Sequence, residues 1–135
     1  MPDVTDIKKD IHFSAPIGKV WAALTDPKVI RAWMGDDDKI KVDLKVGGRY
    51  AFFEGETTGE FTEIDPPSVL EYTWRQKSWK KDWPDSVVRW ELREAGKGTQ
   101  VHLLHKSFPN QDERDSHNEG WDMYFLEPMA EVLDG

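Results

Sequence analysis

The feature that most constrains the fold is a change in the spacing of apolar residues along the chain. Between residues 39 and 106 apolar side chains alternate with polar ones, which predicts strands that each bury one face. Gly47-Gly48 and Ala95–Gly98 are typical of tight turns, so successive strands are expected to form hairpins. Together with an earlier strand, the predicted strands are 5–13, 40–44, 49–54, 60–65, 69–74, 87–94 and 99–106.

Two short helices are predicted between the first strand and the rest of the sheet. Ser14-Ala-Pro16 offers a capping hydroxyl followed by a proline, and Asp26-Pro27 repeats the signal. The apolar residues that follow have helical spacing and comprise Ile17, Val20, Trp21 and Leu24, then Val29, Ile30 and Trp33. Gly35 and the acidic residues 36–38 are expected to end the second helix.

The last segment predicts one long helix. Asn110 and Glu113 form a plausible capping pair at its start, and Pro128 is expected to kink or restart it. One apolar stripe of this helix comprises His117, Trp121, Tyr124, Phe125 and Met129 and continues to Val132. An antiparallel sheet of about six to seven strands has one face to bury, and only this helix is large enough to cover it. The sequence therefore predicts an α+β fold in which a curved sheet wraps round the helix and leaves a space between them.

Composition narrows the possible functions. The 135 residues fit a single domain, 1–135, with its core at about 7–132, and the absence of cysteine excludes disulfides and thiolate chemistry. A net charge of −8 disfavours nucleic acid and membrane surfaces as partners. The N-terminal residues lack the apolar run of a signal peptide, and no segment approaches a membrane span, so a cytoplasmic location is expected.

Short motifs in this order are similar to those of a known group of proteins. They are Phe13–Pro16, Val20-Trp21, Leu24–Pro27, Trp33, Val46–Gly48 with Tyr50, Gly59, Glu63–Pro67, Leu70–Trp74, Gly98-Thr99, Leu104-His105 with Phe108, and His117 with Gly120-Trp121. Together they resemble the START-like (SRPBCC) helix-grip superfamily, which includes the birch pollen allergen fold. Within it the chain resembles the family related to the C-terminal domain of the activator of heat-shock protein 90 ATPase.

The resemblance implies the helix-grip fold strongly and a specific activity weakly. Its superfamily contains lipid and hormone carriers, cyclases and stress proteins, and fold does not fix function. Two features depart from the family pattern. Ser107-Phe108 stands where the family often has glycine-phenylalanine, and the loop 77–85 with Trp79 and Trp83 looks particular to this chain.

Two histidines are candidates for chemistry in the internal space. His105 shares the predicted inward face with Val101 and Leu103, where a pocket ligand is a candidate hydrogen-bond partner. The alternative is a core histidine that bonds a tyrosine, a backbone group or water. His117 lies one helical turn before Trp121, and the alternative for it is a position near solvent at the helix start.

Aromatic residues on alternating strand positions predict the wall of a pocket. Seven tryptophans are present, and each supplies a large apolar surface with one N–H group. Ordinary core packing is the alternative for each residue singly. The predicted ligand-pocket residues are Trp33, Tyr50, Phe52, Tyr72, Trp74, Trp90, His105, Trp121 and Phe125.

Catalytic and metal motifs are not recognisable in the sequence. The four histidines lack zinc-site spacing, and Asp36–Asp38 lacks the alternation and glycine of a calcium loop, so no metal is expected. No phosphate loop, nucleophile elbow or dinucleotide fingerprint occurs, and neither a cofactor nor a catalytic residue is assigned. Glu60 and Glu63 are interpreted as outer-face charges.

These patterns support three hypotheses about the function of the protein. The first is a non-enzymatic domain, monomeric or weakly dimeric, that binds a small hydrophobic or aromatic molecule in an internal pocket. The second is a chaperone-associated stress-response module that acts through its surface. The third is an enzyme in which His105, aided by Glu63 or Tyr50, performs acid–base chemistry on a pocket ligand.

Overall fold

Seven strands form one antiparallel sheet in the order β1-β7-β6-β5-β4-β3-β2. A computed structural model describes residues 4–35 and 40–134. The strands are β1 (Ile7–Phe13), β2 (Lys41–Val42), β3 (Arg49–Phe52), β4 (Thr57–Asp65), β5 (Val69–Gln76), β6 (Ser86–Ala95) and β7 (Gly98–Lys106). The sheet is curved, and its inner face packs on the C-terminal helical segment, which confirms the predicted helix-grip architecture.

The helices form two groups. Helices α1 (Ile17–Thr25) and α2 (Pro27–Met34) follow β1. The C-terminal segment consists of α3 (Gln111–Gly120), a π-helical segment (Trp121–Leu126) and α4 (Glu127–Leu133). Pro128 lies in the first turn of α4, which agrees with the predicted restart of the helix. Proline is tolerated there because the first-turn N–H groups of a helix have no intrahelical acceptor, so the N–H group that proline lacks is not missed.

Two of the three predicted helix caps are present. The Asp26 side chain accepts a hydrogen bond from the Lys28 backbone N–H, and the Asn110 side chain accepts one from Glu113 N–H. The Ser14 prediction is wrong, because α1 begins at Ile17 after Pro16 and lacks a side-chain cap among the described residues. The Ser14 backbone N–H instead donates to Asp134 Oδ1 over 2.6 Å and ties β1 to the end of the chain.

The predicted second strand is shorter in the structure. Only Lys41 and Val42 pair with β3, and Leu44 is 41% exposed. The chain turns away at Gly47 and Gly48, whose backbone groups bond Phe61. Residues 36–38, expected to end the second helix, lie outside the described residues.

A close approach of neighbouring strands requires glycine at position 59. A Cβ atom there would lie 1.9 Å from the Thr73 carbonyl oxygen and 2.6 Å from the Tyr50 ring. The Tyr50 hydroxyl in turn donates to that same carbonyl. Gly59 therefore leaves room for the Tyr50 ring, whose hydroxyl reaches the Thr73 carbonyl on β5.

Candidate functional site

A cleft of about 140 Å³ opens between the end of β5 and the C-terminal helical segment. Five aromatic rings form most of its wall, together with a glycine and three uncharged polar side chains. The lining residues are Phe53, Trp74, Gln76, Ser116, His117, Gly120, Trp121, Tyr124 and Phe125. An engineered apolar cavity of about 150 Å³ binds benzene, so this volume suits one aromatic ring.

Two unusual backbone conformations face each other across the cleft. Phe53 and Glu54 have φ angles of 53° and 58°, a left-handed region that bulky residues rarely occupy. On the opposite side, the π-helical segment contributes Trp121, Tyr124 and Phe125. Strained backbone and π-helical turns both concentrate at functional sites, and here they meet at one place.

His117 forms part of the wall, and its neighbours fix its protonation. The Trp74 indole N–H donates to its Nε2 over 3.1 Å, so Nδ1 carries the proton and donates to the Glu113 carbonyl over 2.7 Å. Burial lowers the pKa of His117, although the Glu113 carbonyl and carboxylate oppose that effect. The ring is therefore neutral at neutral pH.

His105 lies behind this wall in a chain of buried hydrogen bonds. The Trp121 indole N–H donates to His105 Nδ1 over 3.0 Å, so the proton of this neutral ring is on Nε2, which faces Ser86 Oγ at 2.7 Å. The Ser86 hydroxyl then donates to the Trp74 carbonyl over 2.8 Å. Burial and the neighbouring His117 lower the pKa of His105 well below its usual value.

This arrangement of Ser86 and His105 differs from that of an activated nucleophile. A general base must accept the serine proton, whereas here Nε2 donates and the serine proton goes to a backbone carbonyl. The opposite tautomer would place two N–H groups against each other at Trp121, because an indole nitrogen can only donate. His105 is therefore a hydrogen-bonded core histidine, which is the alternative considered from the sequence. Its partners are Trp121 and Ser86 instead of a tyrosine, a backbone group or water.

The structure divides the nine predicted pocket residues into two groups. Trp74, Trp121 and Phe125 line the cleft. The other six are buried in the core outside its lining, and they are Trp33, Tyr50, Phe52, Tyr72, Trp90 and His105.

Contacts with one another and with the backbone account for the burial of the second group. The Tyr50 ring centroid lies 4.8 Å from those of both Phe52 and Tyr72. The Trp90 indole N–H donates to the Tyr72 hydroxyl over 2.9 Å, and the Trp33 indole N–H donates to the Ala23 carbonyl. These six residues are therefore packed in the core, and the cleft lies between the end of β5 and the C-terminal helical segment.

Several lining residues were not identified from the sequence, although two had a signal. Gln76 continues the inward alternation of Tyr72 and Trp74, so a polar side chain in that register was visible. Gly120 is an isolated glycine within a helical pattern, which often has a packing or functional reason. Phe53 gave no comparable signal, because its position depends on the strained turn after β3.

The helical stripe is only partly as predicted. Trp121, Phe125 and Met129 are buried, whereas Tyr124 is 57% exposed and lies at the cleft rim. A π turn holds more residues than an α turn, which shifts the inward face and brings Leu126 into the core.

The tryptophan-containing loop packs behind His117. Trp79 is buried, with its ring centroid 6.0 Å from that of His117. Arg75 holds the loop by donating to the carbonyl oxygens of Lys80 and Trp83 and to the Asp85 carboxylate. The loop thereby packs Trp79 against His117, which forms part of the cleft wall.

The outer face of the sheet carries paired charges. Arg89 contacts Glu63, Glu71 and Glu91, which places Glu63 on the outer face as predicted. A wider hollow of about 520 Å³ over β1, β6 and β7 is lined mainly by such side chains, including the His102–Asp10 pair. Four of its polar side chains form two pairs, Arg89 with Glu91 and His102 with Asp10, so the smaller aromatic cleft is the better candidate site.

Within residues 4–35 and 40–134, the structure contains no group of three acidic or histidine side chains arranged to hold a metal ion. Among the same residues, no helix is long and apolar enough to cross a membrane. Asp36–Asp38 fall outside the described part of the chain.

Comparison with known proteins identifies the family. The family model described as Activator of Hsp90 ATPase homolog 1-like protein matches residues 14–134. The chain belongs to this family. Its membership confirms the resemblance inferred from the sequence motifs.

Curated relatives of this family member are longer proteins. An uncharacterized protein from Schizosaccharomyces pombe is 23% identical over 97% of this chain and 38% of its own length. The mouse activator of 90 kDa heat shock protein ATPase homolog 1 is 23% identical over 93% of this chain and 36% of its own length. The chain thus spans little more than a third of these relatives.

Several solved structures match over nearly the whole chain. An HSP90 activator from Plasmodium falciparum is 26% identical, with a TM-score of 0.85 and 96% of each chain covered. CalU16 from Micromonospora echinospora is 30% identical, with a TM-score of 0.80 over 95% of this chain and 75% of CalU16. The Aha1 dimer from Colwellia psychrerythraea, at 20% identity and a TM-score of 0.81, shows the same fold and is a homodimer.

Proposed function

We propose that this protein is a non-enzymatic binding domain that holds a small apolar or aromatic molecule in the cleft beside His117. The observation that carries the proposal is an opening of about 140 Å³ walled by five aromatic rings. Pockets for drug-sized ligands measure roughly 300–1,000 Å³, so a ligand confined to this cleft is about one ring in size. The strained turn at Phe53 and the π-helical segment support the same location.

Filling the cleft with a side chain tests this proposal. A Cβ atom at Gly120 would meet only the Tyr124 ring, at 3.8 Å, so Gly120→Leu introduces a leucine side chain at the cleft without a backbone clash. Gly18→Leu is the matched control, because Gly18 is helical and exposed and a Cβ atom there meets nothing within 4 Å. Both changes replace glycine in a helix, which favours helix formation.

Nuclear magnetic resonance of the indole N–H groups provides the measurement. We expect toluene to shift the signals of Trp74 and Trp121 in the wild type and in Gly18→Leu, and to leave them unchanged in Gly120→Leu. Signals that fail to move in the wild type at millimolar toluene would contradict the proposal. A response that survives in Gly120→Leu would show that binding takes place elsewhere.

Chaperone association is a second candidate function. Its support is the similarity over 96% of both chains to a protein described as an HSP90 activator, at 26% identity. The ATPase rate of purified Hsp90 with and without this protein tests it. A surface interaction should stimulate the rate equally with the wild type and with Gly120→Leu, because the cleft is not involved. Unchanged ATPase activity with both proteins would argue against this role.

A further inference from the structure

Some hydrogen-bonding groups in the cleft wall already have partners within the protein, and others do not. Both indole N–H groups in its wall donate to histidines, and both nitrogens of His117 are engaged. The other polar side chains of the lining are Ser116, Tyr124 and Gln76. Of these, Gln76 is anchored from behind, because its Oε1 accepts a hydrogen bond from the Thr57 hydroxyl, while its Nε2 has no partner within residues 4–35 and 40–134. The Gln76 carboxamide therefore retains two N–H donors at the cleft.

The position of this donor is fixed by its surroundings. Gln76 pairs with Thr57 across β4 and β5, and Thr57 is fully buried. Since the Thr57 hydroxyl holds the amide oxygen, the amide nitrogen is left for another acceptor. A bound molecule with an acceptor atom would satisfy it, whereas a purely apolar molecule would shield it from water without replacing the lost hydrogen bond.

The charge of the cleft limits the ligand further. None of the nine described residues that line it carries a formal charge at neutral pH, since His117 is neutral. An anionic ligand would lose water without gaining a cation, in a protein whose net charge is −8. A cation could use the aromatic faces, but it would leave the Gln76 N–H donors without an acceptor, and their partial positive charge would face the cation.

We propose, building on the binding function above, that the cleft selects a neutral, single-ring aromatic molecule whose hydrogen-bond acceptor is bound by the Gln76 carboxamide. Gln76 is then the specificity-determining residue of the site. The aromatic wall supplies most of the affinity, and the amide decides between molecules of equal size.

Four small probes separate these contributions. Toluene has the ring without an acceptor, and benzonitrile adds a neutral acceptor without a donor. N-methylpyridinium is the cationic isostere of toluene, and benzoate is an anion. Dissociation constants are measured for each from the indole N–H shifts of Trp74 and Trp121 in the full chain.

Two substitutions at Gln76 test its role. Gln76→Leu removes the amide, and Gln76→Glu keeps an acceptor for the Thr57 hydroxyl while removing the N–H donors. Gln100→Leu is the matched control, because Gln100 is a half-buried glutamine on β7 outside the cleft lining. A neutral hydrogen bond predicts that benzonitrile binds roughly threefold to tenfold tighter than toluene in the wild type and in Gln100→Leu.

The outcomes distinguish this inference from the binding function. Loss of the benzonitrile preference in both Gln76 variants, with toluene still bound, would support it. Equal affinity of the wild type for toluene and benzonitrile, or tightest binding of N-methylpyridinium or benzoate, would overturn the selectivity while leaving the binding function intact. Absence of a response to every probe would overturn both.

Discussion

At the scale of single residues, the buried histidine of β7 is defined by the groups around it. His105 is fully buried, and each of its ring nitrogens has one partner, Trp121 on one side and Ser86 on the other. Because the indole can only donate, the tautomer of the ring follows from the packing of the C-terminal helical segment. The same contact that stabilises the core thus leaves this histidine without a free lone pair.

Removing one hydroxyl from this chain of hydrogen bonds should be costly. We expect Ser86→Ala to lower the free energy of unfolding by about 1–3 kcal/mol, because His105 Nε2–H would remain buried without an acceptor. Urea denaturation followed by tryptophan fluorescence measures the change. Ser14→Ala is the control, because Ser14 is exposed and does not cap α1, and a change within about 0.5 kcal/mol is expected there. Equal stability of Ser86→Ala and wild type would contradict the assigned hydrogen bonds.

Ser107 shows why one departure from the family pattern matters. Its φ angle is 68°, in the left-handed region that favours glycine, and it immediately precedes the buried Phe108. The Phe108 ring centroid lies 4.1 Å from that of His105. The chain accepts a serine in a strained conformation there, and the turn still places Phe108 against the histidine.

At the scale of elements, the C-terminal helical segment positions the cleft. Its first helix carries Ser116, His117 and Gly120, and its π-helical segment carries the aromatic rings. Helix α3 has no buried residue, so its stability depends strongly on local interactions such as its cap. The capping bond from Glu113 N–H to the Asn110 side chain measures 2.8 Å.

Loss of this cap should loosen one wall of the site. We expect Asn110→Ala to reduce stability by about 1 kcal/mol and to speed amide hydrogen exchange in α3, because the first-turn N–H groups lose their acceptor. Hydrogen exchange of residues 113–120 compared with β6 provides the measurement. Glu119→Ala is the control for the change in side chain, because Glu119 is an exposed residue of the same helix and does not cap it. Exchange that increases equally in α3 and β6 would indicate global destabilisation instead.

At the scale of the whole molecule, two buried neutral histidines couple stability to pH. Burial lowers the pKa of His105 and of His117 below the unfolded value of about 6.5. Between the folded and unfolded pKa values the unfolded chain binds more protons than the folded chain. Their contribution to stability is therefore complete above about pH 6.5 and is lost as the pH falls through that window.

Acid titration of stability tests this coupling. The free energy of unfolding should be nearly constant from pH 8 to pH 7 and fall below pH 6.5, by up to about 1.4 kcal/mol per pH unit for each histidine. In His117→Gln the fall should be shallower, because glutamine does not titrate and its amide oxygen can accept the Trp74 N–H. The measurement is the free energy of unfolding of both proteins by urea denaturation at pH 7.5, 6.5 and 5.5. A wild type as stable at pH 5.5 as at pH 7.5 would contradict it.

The sequence by itself determined the order of strands and helices and the family of this protein. Alternation in β5 to β7, the Asp26 and Asn110 caps and the proline at 128 act over a few residues, so their effects hold in any packing. The Ser14 prediction was equally local but failed, because α1 begins at Ile17 after Pro16, and Ser14 therefore lies too far from the first turn to cap it.

Only the tertiary structure decided where the interior is open. Alternation placed Tyr50, Tyr72 and Trp90 on inward faces, but whether inward rings leave a pocket depends on how side chains from distant strands fill the same volume. Those rings pack against each other, whereas Trp74 and Trp121 border a gap beside the π-helical segment. The gap depends on the strained turn at Phe53 and on the wider helical turn opposite it. Neither follows from local periodicity, because both are held by contacts between elements far apart in the chain.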